Sequence, residues 1–270
     1  MPAETAIAEQ LMTARREVPN ADSLNASAIY FEAPGATDTS RNDVARCEDA
    51  ACGYAFSLGG ETLTVIYRLA DVFEVTDPGL LDAVLTDDDG ITLLRRRPGN
   101  ALDHTFYGAW MENAGFIVAA DGEFLIPREG DSGITIPGRA AVAGGERESG
   151  LPTADASWTG LMVGTFQSGD EVDDILQGQA ELTFSVQSNR IGAMFSSIRN
   201  IDNPRAADNR IADITFQNLE ANADNGTYGT ETEGSRIAGA FYGDGRAETA
   251  GIFERDNIVA AFGARRVTTN

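Results

Sequence analysis

Cys47 and Cys52 are the only cysteines in the chain, and four residues separate them. Two cysteines this close together, in an acidic chain without lysine, favour a small local disulfide and an oxidising compartment. Closing so short a loop stabilises the folded state by about 2 kcal/mol if chain entropy is the main effect. A pair of reduced thiols is the alternative, whereas a zinc site would need a second pair of cysteines.

A serine motif and the single histidine raise the question of nucleophilic catalysis. Gly130-Asp131-Ser132-Gly133 is similar to the nucleophile sequence of serine proteases, and His104, which follows Asp103, is the only imidazole base. Catalysis requires serine, base and orienting carboxylate to meet. The histidine lies only 28 residues before the serine, much closer in sequence than in trypsin-like folds. We therefore interpret the serine as part of a polar turn and predict no catalytic residues.

His104 has two further interpretations. One histidine cannot build a multi-histidine metal site within one chain, but a lone histidine can be an axial ligand of haem. The neighbouring Asp103 would add negative charge beside the haem propionates, and no obvious haem pocket surrounds the histidine in sequence. Otherwise His104 is a strand-edge residue without a special role, and the sequence predicts no cofactor.

Charged side chains cluster at three places, two acidic clusters in predicted loops and one basic run. Residues 87–90 and 170–174 are rich in carboxylates, the oxygen ligands that Ca²⁺ prefers. Neither cluster has the spacing of an EF-hand, so both are interpreted as solvated turns and no metal site is predicted. The run Arg95-Arg96-Arg97 either pairs with nearby carboxylates or meets an anionic ligand.

The composition excludes several classes of function. Acidic residues outnumber basic ones by 42 to 20, which gives a net charge of −22 that repels nucleic acids and anionic membranes. All the basic residues are arginine, so Schiff-base chemistry and a P-loop are absent. No apolar run approaches the roughly 20 residues that span a bilayer. Together with the weak serine motif, these features predict a protein that is not an enzyme.

Hydrophobic periodicity divides the chain into three predicted parts. A short helix is predicted at residues 3–16, where Ile7, Leu11 and Ala14 share one face and Pro19 follows. Beyond it the period changes to two, which is typical of β-strands. We therefore predict an N-terminal helix or arm at 1–25, an antiparallel β domain at 26–150 and a C-terminal β-barrel at 151–270. The stretch 127–157, rich in Gly, Pro, Ala and Ser, is interpreted as the boundary between the two β units.

The C-terminal part shows the clearest strands. Residues 179–187 alternate, with Ala180, Leu182, Phe184 and Val186 on the predicted dry face. Short turns join most neighbouring strands and force antiparallel pairing. Eight strands predict an up-and-down barrel that is filled by side chains or holds one small ligand, with a two-sheet sandwich as the alternative. The candidate strands lie near 158–166, 177–187, 190–198, 211–219, 226–231, 235–242, 248–254 and 257–265.

The front half is less regular. Its candidate strands lie near 54–58, 63–75, 91–96, 106–109, 115–120 and 123–126. Phe106-Tyr107-Gly108 is followed by Glu112, and Phe241-Tyr242-Gly243 is followed by Glu248 in the same manner. This echo suggests two related β units, although the match is short and gapped.

Motifs in the last third of the chain resemble those of one known family. They are 239–243 (Gly-Ala-Phe-Tyr-Gly), 247–253 (Ala-Glu-Thr-Ala-Gly-Ile-Phe) and 260–266 (Ala-Ala-Phe-Gly-Ala-Arg-Arg), with a fourth at 151–160 before the first barrel strand. The pattern resembles the C-terminal barrel of the transferrin-binding protein B-like surface lipoproteins, a group that includes factor H-binding protein. Asp244, Ala250 and the pair Arg265-Arg266 depart from the family's proline, glycine and Lys-Arg.

The resemblance implies a non-enzymatic bacterial cell-envelope protein with a handle-like front domain. Such a protein binds a partner, either a protein or a small molecule, through loops at one barrel end. It implies a location at the cell surface, in the periplasm or outside the cell, with a leader and a lipid anchor removed before Met1. The alternative is a lipocalin-like carrier that holds a small apolar ligand or haem inside or beside the barrel. The departures from the family pattern suggest a distant branch, so the family's partner is not carried over.

Overall fold

The computed structural model describes residues 26–32, 47–48, 51–58, 61–67, 81–86, 91–96, 104–128, 131–145, 147–204, 209–232 and 235–267. These residues form strands and connecting loops, and the predicted helix at 3–16 lies outside them. Nothing in the described part of the chain forms a membrane-spanning helix.

The front strands are β1 (Ala26–Glu32), β2 (Cys47–Glu48), β3 (Ala51–Leu58), β4 (Glu61–Tyr67), β5 (Leu81–Thr86), β6 (Thr92–Arg96), β7 (Thr105–Trp110), β8 (Ala114–Arg128) and β9 (Asp131–Gly145). The barrel strands are β10 (Ala156–Phe166), β11 (Ile175–Ser185), β12 (Arg190–Asn200), β13 (Ile214–Asn222), β14 (Thr227–Thr232), β15 (Ser235–Tyr242), β16 (Glu248–Arg255) and β17 (Ile258–Arg266).

The front strands form two antiparallel sheets. The larger one has six strands in the order β1-β9-β8-β7-β6-β5, and the smaller one has the order β2-β3-β4. Strand β9 lies in the stretch 127–157, whose composition predicts a boundary, and it is instead a long partner of β8. The boundaries of the predicted domains stay a prediction, because the six-stranded sheet and the barrel share one apolar core.

Strands β2 and β3 pair Cys47 directly opposite Cys52, although the side chains lie outside the described residues. Opposed residues of an antiparallel pair have Cα atoms about 4.5–5.5 Å apart, within the range of about 4.4–6.8 Å that a disulfide bridges. The disulfide stays a prediction. We expect alkylation of the unfolded, unreduced protein to add no label by intact mass, and two labels to appear after reduction. Two labels without reduction would contradict it.

The predicted all-β fold with an eight-stranded antiparallel barrel is confirmed. Strands β10 to β17 follow one another around a closed barrel, and β10 pairs with β17 from Trp158↔Arg266 to Phe166↔Ile258. The two-sheet sandwich is therefore wrong. The predicted strands agree with the observed ones to within three residues at either end.

One join in the barrel is shorter than the others. Strands β13 and β14 pair only from Glu220↔Gly229 to Asn222↔Thr227, whereas β10 and β11 pair along ten positions. The rest of β13 has no partner in β14. The guanidinium of Arg255, at the end of β16, donates to the carbonyl of Thr215 on β13 and lies 5.2 Å from the centre of the Phe216 ring.

Buried apolar side chains from all eight strands fill the barrel. Phe195 stands at the centre, with ring centroids 4.2 Å from Phe253 and 5.1 Å from Phe262. Aromatic rings at these distances are in direct contact. Three of the four side chains placed on the dry face of β11 point inward, but Val186 is exposed because β11 ends at Ser185.

The six-stranded sheet covers one side of the barrel. Outward apolar side chains of β10, β15, β16 and β17 pack against buried side chains of β7, β8 and β9. The Phe116 ring of β8 lies over Gly263 of β17, where a Cβ would overlap the ring. Glycine at this position therefore allows close contact between the two units.

Candidate functional site

The longest described connections of the barrel lie at one end. Residues 167–174 join β10 to β11, and the connection from β12 to β13 is described at 201–204 and 209–213. At the opposite end, 186–189, 223–226 and 243–247 are short turns. Because long loops on a rigid scaffold commonly carry binding functions, this end is the candidate site. We call residues 167–174 and 200–203 the loop platform.

Asn200, the last residue of β12, organises the loop platform. Its side chain is buried, with the residue 2% exposed. Its Nδ2 donates to Asp174 Oδ2 at 2.7 Å and to Glu171 Oε1 at 3.3 Å. Its Oδ1 accepts the backbone N–H groups of Asp202 and Asn203, both at 3.0 Å. One amide thus fixes both loops, because all of its hydrogen-bonding sides are used.

Replacing Asn200 with alanine is expected to loosen both loops. The change removes four hydrogen bonds, and leaving buried polar groups without partners costs about 1–3 kcal/mol each. We expect faster amide hydrogen exchange in 167–174 and 201–203, measured by mass spectrometry. Gln179→Ala, at an exposed amide on β11, is the control. Equal exchange in both variants would contradict the role of Asn200.

Two arginines of the front sheet fasten it to the loop platform. Arg139 of β9 donates from Nε to Asp173 Oδ1 at 3.0 Å and from Nη1 to the carbonyl of Gln167 at 2.8 Å. Arg95 of β6 pairs with Asp202 Oδ1 at 2.6 Å. Of the two interpretations of the arginine run, pairing with a carboxylate is therefore the one observed for Arg95. The side chains of Arg96 and Arg97 lie outside the described residues.

A buried tyrosine joins the sheet to β11 behind these ion pairs. The Tyr107 hydroxyl donates to Gln177 Oε1. Burial raises the pKa of Tyr107 far above its ordinary value of 10, and Arg95 opposes this effect. The phenol therefore stays protonated and acts as a neutral hydrogen-bond donor between the two units.

Most of the acidic side chains at 170–174 have structural partners. Glu171 and Asp174 bind Asn200, and Asp173 binds Arg139, whereas Asp170 is exposed. Within the described ranges, no group of three or more histidine, cysteine, aspartate or glutamate side chains is arranged to hold a metal ion. The second predicted acidic turn, 87–90, lies outside the described residues.

The structure places His104 in the front sheet, away from the loop platform. The residue is 4% exposed, and its Nε2 lies 3.0 Å from the carbonyl oxygen of Gly138. A Cβ on Gly122 would overlap the histidine, so packing is tight on that side as well. With Nε2 donating to Gly138, that nitrogen is engaged in a hydrogen bond and is not presented to a ligand.

Ser132 and His104 are not brought together. His104 contacts Gly138, and Ser132 lies six residues away along the same extended strand β9. At about 3.3 Å per residue, the Cα atom of Ser132 lies about 20 Å from that of Gly138, which His104 contacts. The serine motif is therefore not paired with this histidine.

The residues that build the loop platform were not predicted from the sequence. The role of Asn200 could not be predicted because a single asparagine at the end of a strand is common. The run from Asn200 to Pro204 (Asn-Ile-Asp-Asn-Pro) carries a turn signal, since Asn and Asp side chains bond to nearby backbone N–H groups. Such a signal indicates a turn but not the contact with 167–174.

No protein-family model matches this chain, and no curated protein matches its sequence. Among solved structures it is similar to the isotype 1 transferrin binding protein B of serogroup B Neisseria meningitidis, with 14% identity, a TM-score of 0.39 and coverage of 90% of this chain. The chain spans 42% of the length of that protein.

Two further solved structures are similar to the chain. One is named as a surface lipoprotein, with 11% identity, a TM-score of 0.45 and coverage of 89% of this chain and 99% of its own. The other is the N-lobe domain of lactoferrin binding protein B from Moraxella bovis, with 14% identity, a TM-score of 0.34 and coverage of 69% and 91%. The Neisseria protein bears the name of the family that the C-terminal motifs resemble.

Proposed function

We propose that this chain is a non-enzymatic binding protein of the bacterial cell envelope, which recognises a protein partner through the loop platform and the adjoining front sheet. The filled barrel interior carries the proposal, because it leaves the outer surface and the loops as the places for recognition. The motif resemblance supports the same class of function. Export to the cell surface or periplasm belongs to the proposal, in agreement with the opposed cysteines of β2 and β3.

The loop platform is built in advance of binding. Asn200, Arg95 and Arg139 hold its two loops, so little conformational entropy remains to be lost when a partner docks. Exposed carboxylates remain on the platform at Asp170 and beside it at Asp213, directly before β13. Together with the net charge of −22, they favour a partner with a basic contact surface, and steering by charge raises its association rate.

Binding to an immobilised full-length chain tests this proposal. Transferrin and lactoferrin, which similar proteins are named for binding, are the first test partners. We expect saturable binding of a protein partner that weakens with salt and falls several-fold in the double variant Asp170→Asn and Asp213→Asn. Asp244→Asn, an exposed site at the opposite end, is the matched charge control. If the chain binds neither transferrin nor lactoferrin, that result counts against the proposal.

The carrier alternative is tested on the same protein with small ligands. A carrier needs an internal cavity of a few hundred Å³, but the Phe195 cluster occupies the barrel centre. We expect no stoichiometric uptake of an apolar fluorophore and no Soret shift on haem titration. A Soret shift that His104→Ala abolishes would assign haem binding and overturn the interpretation of His104 as a packed residue.

A further inference from the structure

The side of the barrel formed by β11, β12 and β13 is a second candidate surface. The front sheet packs on β10, β15, β16 and β17, whereas the outward side chains of Glu181, Thr183, Met194, Thr215 and Gln217 are exposed. Of these five side chains only Glu181 is charged, and Arg190, Arg199 and Glu220 lie toward the ends of the same strands. Methionine is enriched in protein interfaces relative to the rest of the surface.

A groove of about 1090 Å³ runs along this surface. Gly192 lies in its floor directly opposite Thr183, and Glu181 lies opposite Met194 on the same pair of strands. Gly192 has no side chain and therefore leaves a dimple in the floor; a Cβ there would lie 3.2 Å from Thr183 Oγ1, a tight contact that rotation of the Thr183 side chain can relieve. Met194, 36% exposed, forms one wall of this dimple.

The charged groups that line the groove leave a negative charge without a counterion. The cation of Arg190 pairs with Glu220 at 3.0 Å, and Arg266 donates to the carbonyl of Gly245 at 2.6 Å. Asp155 accepts the backbone N–H of Val186. Among the described residues, no basic side chain forms an ion pair with Glu181. The Glu181 carboxylate therefore offers a negative charge inside the groove, and the long-range field of the chain has the same sign.

We propose that the groove is a second docking surface, which takes an arginine or lysine side chain from a basic protein segment. The aliphatic stem lies across Met194 and the dimple over Gly192, and the cation meets the Glu181 carboxylate. Diagonal neighbours on one sheet face are about 7–8 Å apart, a span that an extended basic side chain covers. Long basic side chains bury their stems on apolar surface in this way while the charge stays at a polar group.

A random-peptide library displayed on phage tests the proposal on the full chain. We expect the enriched peptides to carry arginine or lysine next to apolar residues. Their affinity, measured by fluorescence anisotropy, is expected to fall about tenfold for Glu181→Gln and for Gly192→Leu, as at an interface hot spot. Gly192 has no left-handed backbone angle, and the atom nearest to an added Cβ is the rotatable Thr183 hydroxyl, so Gly192→Leu is expected to fold. Asp244→Asn is the matched charge control and is expected to bind normally.

Three outcomes would overturn the proposal. One is enrichment of peptides without basic residues, and another is affinity that neither groove variant changes, including a selection that yields no peptide. The third is a dimer of the wild-type chain that Gly192→Leu converts to a monomer, which would assign the groove to a second copy. The test does not use the loop platform, so its failure leaves the proposed function standing.

Discussion

Replacing Phe116 with alanine is expected to lower the free energy of unfolding by about 3–5 kcal/mol, the range for removing a fully buried phenylalanine ring. The ring is fully buried between the front sheet and the barrel, directly over Gly263. Removing it leaves a cavity that two rigid sheets cannot close. Urea unfolding followed by circular dichroism measures the loss. Met194→Ala, at an exposed methionine, is the control and is expected to change stability little.

A double-mutant cycle separates the ring contact from general loss of packing. Gly263→Ala places a methyl group where the Phe116 ring lies, so it is expected to destabilise the wild-type chain. The same change is expected to cost less once Phe116 is alanine, with a coupling energy of about 0.5–3 kcal/mol. Additive losses in the cycle would contradict direct contact between the two positions.

Replacing Glu248 with alanine is the second large change, with an expected loss of about 2–4 kcal/mol. Its carboxylate, 3% exposed, accepts the backbone N–H of Glu112 at 2.9 Å and that of Asn113 at 2.8 Å. Alanine leaves both donors of the β7–β8 turn without an acceptor. Denaturant unfolding measures the effect. Glu220→Ala removes an exposed ion pair with Arg190, which is worth about 0–1 kcal/mol, so an equal loss in both variants would contradict this role.

Burial of Glu248 also predicts a pH dependence. Burial raises the pKa of this carboxyl above its ordinary value of 4.5, although the N–H groups of Asn113 and Glu112 and the charge of Arg265 oppose it. The folded state therefore holds the proton more tightly than the unfolded state. The contribution of this group to stability is largest below pH 4.5 and falls as the pH rises through the raised pKa. Unfolding of the wild type and Glu248→Gln over a pH series measures this. We expect the free energy of unfolding of the wild type, relative to that of Glu248→Gln, to fall as the pH rises, and a rise would contradict the role of burial.

The barrel could be predicted from the sequence because each of its strands has a distinct interior face. Ala180, Leu182 and Phe184 alternate with exposed polar residues, and the strand bounds followed from that pattern. Val186 continues the alternation in sequence only. Its N–H donates to Asp155 instead of a neighbouring strand, so no ladder holds it on the inner face.

The front sheet was harder to predict because its central strands are buried on both faces. Residues 114–120 of β8 and 140–144 of β9 are all buried, so apolar and polar residues do not alternate there. Strand β9 consists largely of Ala, Gly, Pro and Thr, which are usually signs of a loop. The loop platform could not be predicted for another reason. Asn200 acts through residues nearly thirty positions away, a distance that local patterns do not encode.

The echo between Phe106-Tyr107-Gly108 and Phe241-Tyr242-Gly243 has a structural counterpart. Glu248, which follows the second sequence, binds the turn that contains Glu112, which follows the first. Whether the two units share an origin stays a prediction. Through this contact Glu248 is a buried hydrogen-bond acceptor for the β7–β8 turn and not a surface charge.

The short join between β13 and β14 makes the barrel unequal around its circumference. Separating two strands costs free energy roughly in proportion to the ladder bonds that must break, and here only three residue pairs resist. Mechanical tension or heating is therefore expected to open the barrel between β13 and β14 first. The hydrogen bond from Arg255 to the carbonyl of Thr215 is expected to oppose this opening. The side that carries the front sheet is expected to keep its shape longest.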